Sequence, residues 1–118
     1  MATGPGGPYS PIVRAGDWLI VSGQLGMRDG AIVDGGVAAQ TTQALANLRS
    51  LLEGESASLD DVAKTMVFLT DMATFAEMND SYVAAFGGHR PARSSIGVAA
   101  LPAGGAVEIE AWAYVGSS

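Results

Sequence analysis

The chain of 118 residues contains no cysteine and a single histidine, His89. The first absence excludes a disulfide framework and thiolate zinc sites, and the second leaves no imidazole pair from which to build a metal centre. Basic side chains are also scarce, six Lys and Arg against twelve Asp and Glu, for a net charge of −6. Arg14, Arg28, Arg49, Lys64, Arg90 and Arg93 are scattered, so no basic stripe exists to displace counterions from a nucleic-acid backbone. No apolar stretch approaches the ~20 residues of a membrane span, and residues 1–8 lack a basic segment followed by an apolar run. The expectation is a cytoplasmic protein with no nucleic-acid or membrane partner.

What is present is a 48% hydrophobic chain with 15% charged residues and 16 Gly, the composition of a compact fold with many turns and a thinly charged surface. Its length suits one core. The Gly/Pro-rich residues 1–8 read as a flexible arm, and residues 9–116 as a single domain. Trp18 to Ser22, bounded by Gly16-Asp17 and Gly23, reads as a strand with Tyr9 to Arg14 as its hairpin partner, and Ala31 to Val33 as a brief strand after the Asp29-Gly30 turn. The period then changes. Val37, Thr41, Ala44, Leu45, Leu48, Leu51 and Leu52 share one helical face, with Gly54 as the residue just beyond the helix. Val62 to Thr70 is rich in β-branched and aromatic residues, as a central strand is. Thr74 and Glu77 have the spacing of a capping box for a second helix running to Phe86, whose Met and aromatic residues read as core. Arg93 to Leu101 and Ala106 to Val115 are the last strands, expected to form a hairpin across Pro102 to Gly105. This order specifies an α+β sandwich, two helices packed on one face of a mixed sheet.

Alternation along the last strand sends Val107, Ile109, Ala111, Ala113 and Val115 toward the helices and Glu108, Glu110, Trp112 and Tyr114 away from them. On its expected hairpin partner, the apolar Ile96 and Val98 assign Ser94, Ile96, Val98 and Ala100 to the helices, leaving Arg93, Ser95 and Gly97 beside the glutamates. A face mixing Arg, Glu, Trp, Tyr and small residues suits a subunit interface with a pocket, and a symmetric homo-oligomer is expected. Arg93 reads as a clamp for a small carboxylate, because guanidinium presents two parallel donors that Lys cannot reproduce. Its competing reading is an ordinary salt bridge to Glu108. Glu108 and Glu110, two apart on a strand, have a spacing compatible with an inverting glycosidase, but one strand cannot place them on opposite sides of a sugar. Ser22 lacks a neighbouring His and is not a nucleophile candidate. Tyr9 and Asn79, taken alone, read as a turn aromatic and a helix-packing residue.

Gly7-Pro8-Tyr9-Ser10, Val21-Ser22-Gly23-Gln24, Gln40-Thr41, Val67 to Met72, Asn79, Arg90-Pro91-Ala92-Arg93-Ser94 and Glu108-Ile109-Glu110-Ala111 together resemble the reactive-intermediate deaminase (Rid, or YjgF) family, from about Gly7 to Val115. That resemblance implies a chorismate-mutase-like α+β fold and a homotrimer with pockets between subunits. It implies hydrolysis of 2-imino or 2-enamino acids, released by pyridoxal-phosphate enzymes, to 2-keto acids and ammonia, with no cofactor and no metal. By the same resemblance Arg93 grips the substrate carboxylate and Glu108 positions or activates water, the two catalytic assignments. Tyr9, Ser22, Gly23, Asn79 and Ser95 join Arg93 in binding substrate. Ser95 stands where many members carry Cys, and Gly97 where a larger residue is common, which implies a roomier or more polar pocket. The alternatives carried with this reading are a non-catalytic small-carboxylate-binding trimer and a hydrolase for a larger imine.

Overall fold

The computed structural model describes residues 7–116; of the arm expected over residues 1–8, residues 1–6 lie outside the described residues, and Gly7 and Pro8 are exposed. The elements are β1 (Ile12–Ala15), β2 (Trp18–Leu25), β3 (Met27–Arg28), β4 (Ala31–Ile32), α1 (Gly36–Glu53), β5 (Val62–Leu69), α2 (Phe75–Phe86), β6 (Ala92–Gly97) and β7 (Val107–Tyr114), with short 3₁₀ turns before β5, α2 and β7. Five strands form one sheet in the order β1-β2-β7-β5-β6, antiparallel except for the parallel β5–β6 pair, and β3 and β4 pair separately. A parallel pair needs a crossover, and α2 supplies it. Both helices pack on one sheet face, as the sequence indicates.

The helical periodicity of α1 is realised, with Val37, Thr41, Ala44, Leu45, Leu48 and Leu52 buried. Gly35 and Gly36, at φ 115° and 74°, start this helix from the left-handed region, where other residues are strained. Gly54 does not provide a left-handed terminus: its φ is −63°, and the positive φ falls on Ser56. The capping box expected at Thr74 is also absent. A 3₁₀ turn over Met72–Thr74 runs straight into α2, so Thr74 already sits in a helical turn and its hydroxyl donates to Asp71 O at 2.7 Å. The capping box forms instead at Ser58 and Asp61, ahead of β5. Buried Gln40 accepts the Ala106 N–H at 2.8 Å and ties α1 to the start of β7.

Two expectations for the C-terminal strands are corrected. β6 and β7 are not a hairpin; both pair with β5, which lies between them. The parity of β6 is also inverted. Thr65, Val67 and Leu69 of β5 are fully buried toward the helices, and their register partners on β6 are Arg93, Ser95 and Gly97. Arg93 therefore points to α2, while Ser94 and Ile96 share the other face with Lys64, Met66 and Phe68. The parity of β7 is as expected: Val107, Ile109, Ala111 and Ala113 are buried, and Glu108, Glu110 and Trp112 lie half-buried on the opposite face. That face also presents Val13, Trp18, Ile20, Ile96 and Tyr114, all at least 39% exposed.

Candidate functional site

The expected site residues form two separate groups. The first gathers at the kink of β2. The register of β2 against β7 shifts between Val21 and Gln24, a bulge that holds Ser22 and Gly23. A Cβ on Gly23 would lie 2.5 Å from Glu108 Oε2, so only glycine lets that carboxylate lie across the backbone. Ser22 donates its hydroxyl to Ser10 O at 2.7 Å and its N–H to Pro11 O at 2.9 Å, drawing the segment that carries Tyr9 to the bulge. With its hydroxyl so engaged and no histidine beside it, Ser22 is a tether. Tyr9 is 50% exposed, its ring lying over Gly7. Partial burial, and then the charge of Glu110, push the Glu108 carboxyl above its ordinary range; burial does the same to Glu110.

The second group lies where β6 meets α2. The guanidinium carbon of Arg93 sits 4.7 Å from the Tyr82 ring centroid and 5.4 Å from that of Phe75. Such contacts are worth roughly 0.5–2 kcal/mol depending on desolvation. Phe75, Asn79 and Tyr82, spaced i, i+4 and i+7, share the helical face turned to Arg93. Asn79 Oδ1 and Ser95 Oγ are buried without a hydrogen-bond partner among the described residues. Above Gly97, a Cβ would stand 3.1 Å from Met72 Cγ. The space opened by this glycine is thus filled by Met72, and the expectation of a roomier pocket at that point is revised.

Within one chain the two groups do not meet. Glu108 and Arg93 point from opposite faces of the sheet. Two strand spacings, roughly 10 Å, separate their strands, and the register places them three residues apart along the sheet. No carboxylate among the described residues pairs with Arg93, so the salt bridge weighed against the clamp does not form. An open groove of ≈ 440 Å³ on the far face is lined by Ala15, Trp18, Ile20, Lys64 and Trp112, and it holds none of the expected site residues. His89 is structural: its Nε2 lies 2.7 Å from Val62 O, fastening the α2–β6 loop to the start of β5. Among the described residues there is no cluster of metal-ligating side chains, and no helix is long and apolar enough to cross a membrane.

Sequence reasoning passed over Tyr82, Phe75, Thr65 and Met72. The aromatic spacing around Asn79 was the available signal, but it is indistinguishable from a core stripe until Arg93 is known to face α2.

Two helices on one face of a mixed sheet, with a guanidinium held on aromatic rings and a carboxylate held over a glycine, define the class of small α+β proteins to which this chain is similar. The family model described as Endoribonuclease L-PSP matches residues 1–115, and the chain belongs to that family, the Rid/YjgF family. A RutC family protein of Pyrococcus horikoshii is 44% identical over 112 residues, covering 93% of this chain and 89% of its own. The mouse 2-iminobutanoate/2-iminopropanoate deaminase is 43% identical over 93% of this chain and 83% of its own. The solved structure of RidA from an Antarctic Psychrobacter superposes with a TM-score of 0.91 at 40% identity, covering 97% of this chain and 94% of that one. The chorismate-mutase-like α+β fold follows from that similarity.

Proposed function

We propose that the protein is a 2-iminobutanoate/2-iminopropanoate-type deaminase whose site forms between copies of this chain in a cytoplasmic homotrimer. The observation that carries this reading is the Arg93 guanidinium, seated on Tyr82 and Phe75 with no carboxylate among the described residues to neutralise it. A small 2-imino acid supplies that carboxylate. The separation of the Arg93 group from the Glu108 group supports the subunit arrangement, since one copy's β6–α2 edge must meet another copy's β2 bulge to complete a pocket.

In this mechanism Arg93 binds the substrate carboxylate through its two parallel donors, a charge-assisted contact worth roughly 1.5–3 kcal/mol. Asn79 and Ser95 offer hydrogen bonds beside it. Glu108 accepts a proton from a water that adds to the imine carbon, and that proton passes to the nitrogen as the C=N π bond opens. Collapse of the resulting carbinolamine breaks the C–N bond, releasing ammonia and the 2-keto acid, so one water is consumed and no oxidant or reductant is required. An enamine must first take a proton at carbon to become this imine. The raised proton affinity of Glu108 suits a group that both accepts and returns a proton.

The reading is tested by coupling the protein to a threonine dehydratase and following keto-acid and ammonia release. Wild type accelerates release and Arg93→Ala does not; equal rates for the two would remove the clamp. Saturable 2-keto-acid binding by calorimetry, with no acceleration at any protein concentration, would replace the enzyme by a binding protein.

A further inference from the structure

We propose that Tyr82, anchored by Thr65, is the positioning residue that holds Arg93 in its carboxylate-binding pose. The inference rests on the clamp proposed above and deepens it. Three observations converge. The Tyr82 ring lies beneath the Arg93 guanidinium at 4.7 Å. The Tyr82 hydroxyl and Thr65 Oγ1 share a buried 2.7 Å hydrogen bond. Thr65 is the register partner of Arg93 on the adjacent strand, so the ring is fastened to the strand position that fixes the Arg93 backbone.

A core-filling aromatic needs none of this. Both residues are almost wholly buried, Thr65 at 0% and Tyr82 at 3% exposure, and burying two hydroxyls among apolar side chains costs free energy unless they bond one another. An arginine side chain has four flexible torsions, and holding it without a carboxylate partner sacrifices rotamer entropy. A fixed ring removes much of that cost before substrate arrives, the general route by which preorganisation raises affinity. The effect belongs to binding of the carboxylate, which is the same in ground and transition states, and so it acts on KM more than on kcat.

The test compares wild type with Tyr82→Phe, Tyr82→Leu and Thr65→Val. Near-ultraviolet circular dichroism is used to confirm that each variant folds. Proton NMR of the Arg93 Hδ and Hε signals reads the platform directly, because protons above an aromatic face move upfield. Expected are upfield signals in wild type, retained but broadened in Tyr82→Phe and Thr65→Val, and a shift to solvent-exposed arginine values in Tyr82→Leu. In the coupled assay, KM rises about threefold in Tyr82→Phe and about tenfold or more in Tyr82→Leu, while kcat stays within about twofold. Arg93 signals unchanged in Tyr82→Leu, or a KM equal to wild type in that variant, would overturn the proposal. So would a loss confined to kcat. Should Tyr82→Leu fail to fold, unbroadened Arg93 signals and an unchanged KM in both Tyr82→Phe and Thr65→Val would overturn it equally. Should wild type neither hydrolyse imines nor bind a 2-keto acid, the functional reading fails, and the Arg93 shifts alone then decide whether the ring holds the guanidinium.

Discussion

At the scale of single residues, Arg93 and Gly23 carry the sharpest consequences. Arg93→Lys keeps the charge but loses the two-donor fork, so kcat/KM should fall about 10- to 100-fold, mostly through KM, in the coupled assay. Gly23→Ala forces a Cβ into the Glu108 carboxylate at 2.5 Å. Its expected outcome is a near-complete loss of activity with the circular dichroism spectrum retained, since the β2 bulge is already an irregular point of the ladder and absorbs the change locally. Activity equal to wild type would mean that Glu108 can leave the backbone of Gly23 without consequence. The sequence exposed both residues through motif, yet their physical settings were hidden. Nothing in Ser22-Gly23 announces that the glycine is required by a carboxylate eighty-five positions later. Thr65 and Tyr82 were equally silent, because a Thr in a strand and a Tyr in a helix look like core until the strand pairing is known.

At the scale of elements, the helices and strands were legible because their periodicities differ, and β7 showed its two faces plainly. The strand order was not. Pro102-Ala103-Gly104-Gly105 has turn chemistry whether the chain folds back on its neighbour or crosses to the far side of another strand, and here β5 intervenes. The facing of β6 failed for a related reason. Ile96 was assigned to the helices because it is apolar, but it is 44% exposed on the opposite face. Apolarity identifies the buried side only when the other face is polar, and here the opposite face carries Ile20, Ile96 and Trp112 as well, which removes the contrast. The neighbouring carboxylates of β7 supply a test at this scale. The charge of Glu110 contributes to the raised proton affinity of Glu108, so Glu110→Gln should lower the Glu108 pKa. If ionised Glu108 accepts the proton from water, activity is lost as pH falls through that pKa. The acid limb of the kcat/KM profile should then move to lower pH in Glu110→Gln, as measured across pH 4 to 9. A limb moving upward would contradict the sign of the coupling.

At the scale of the whole molecule, the far sheet face is the dominant unexplained surface of a lone chain. Trp18 and Tyr114 meet edge to face at 5.2 Å there, flanked by Ile20, Val13 and Trp112, with Lys64 reaching Ser94 Oγ at 3.2 Å. An apolar face of this kind costs free energy in water and is relieved by association. A charge placed at its centre, Trp112→Glu, should convert the proposed trimer to monomers in sedimentation or native mass spectrometry. Activity should vanish with the trimer, although Arg93 and Glu108 are untouched. Full activity in a monomer would refute a pocket shared between copies.

In the proposed assembly, Arg93 of one copy works with Glu108 of another. Arg93→Ala and Glu108→Ala are each expected to be inactive alone. Mixed after reversible dissociation and reassembled, they should regain roughly a quarter of wild-type activity, since a cyclic assembly of random composition pairs an intact Arg93 with an intact Glu108 at about one site in four. A mixture as inactive as its parents, with mixed trimers verified by mass, would contradict the shared site.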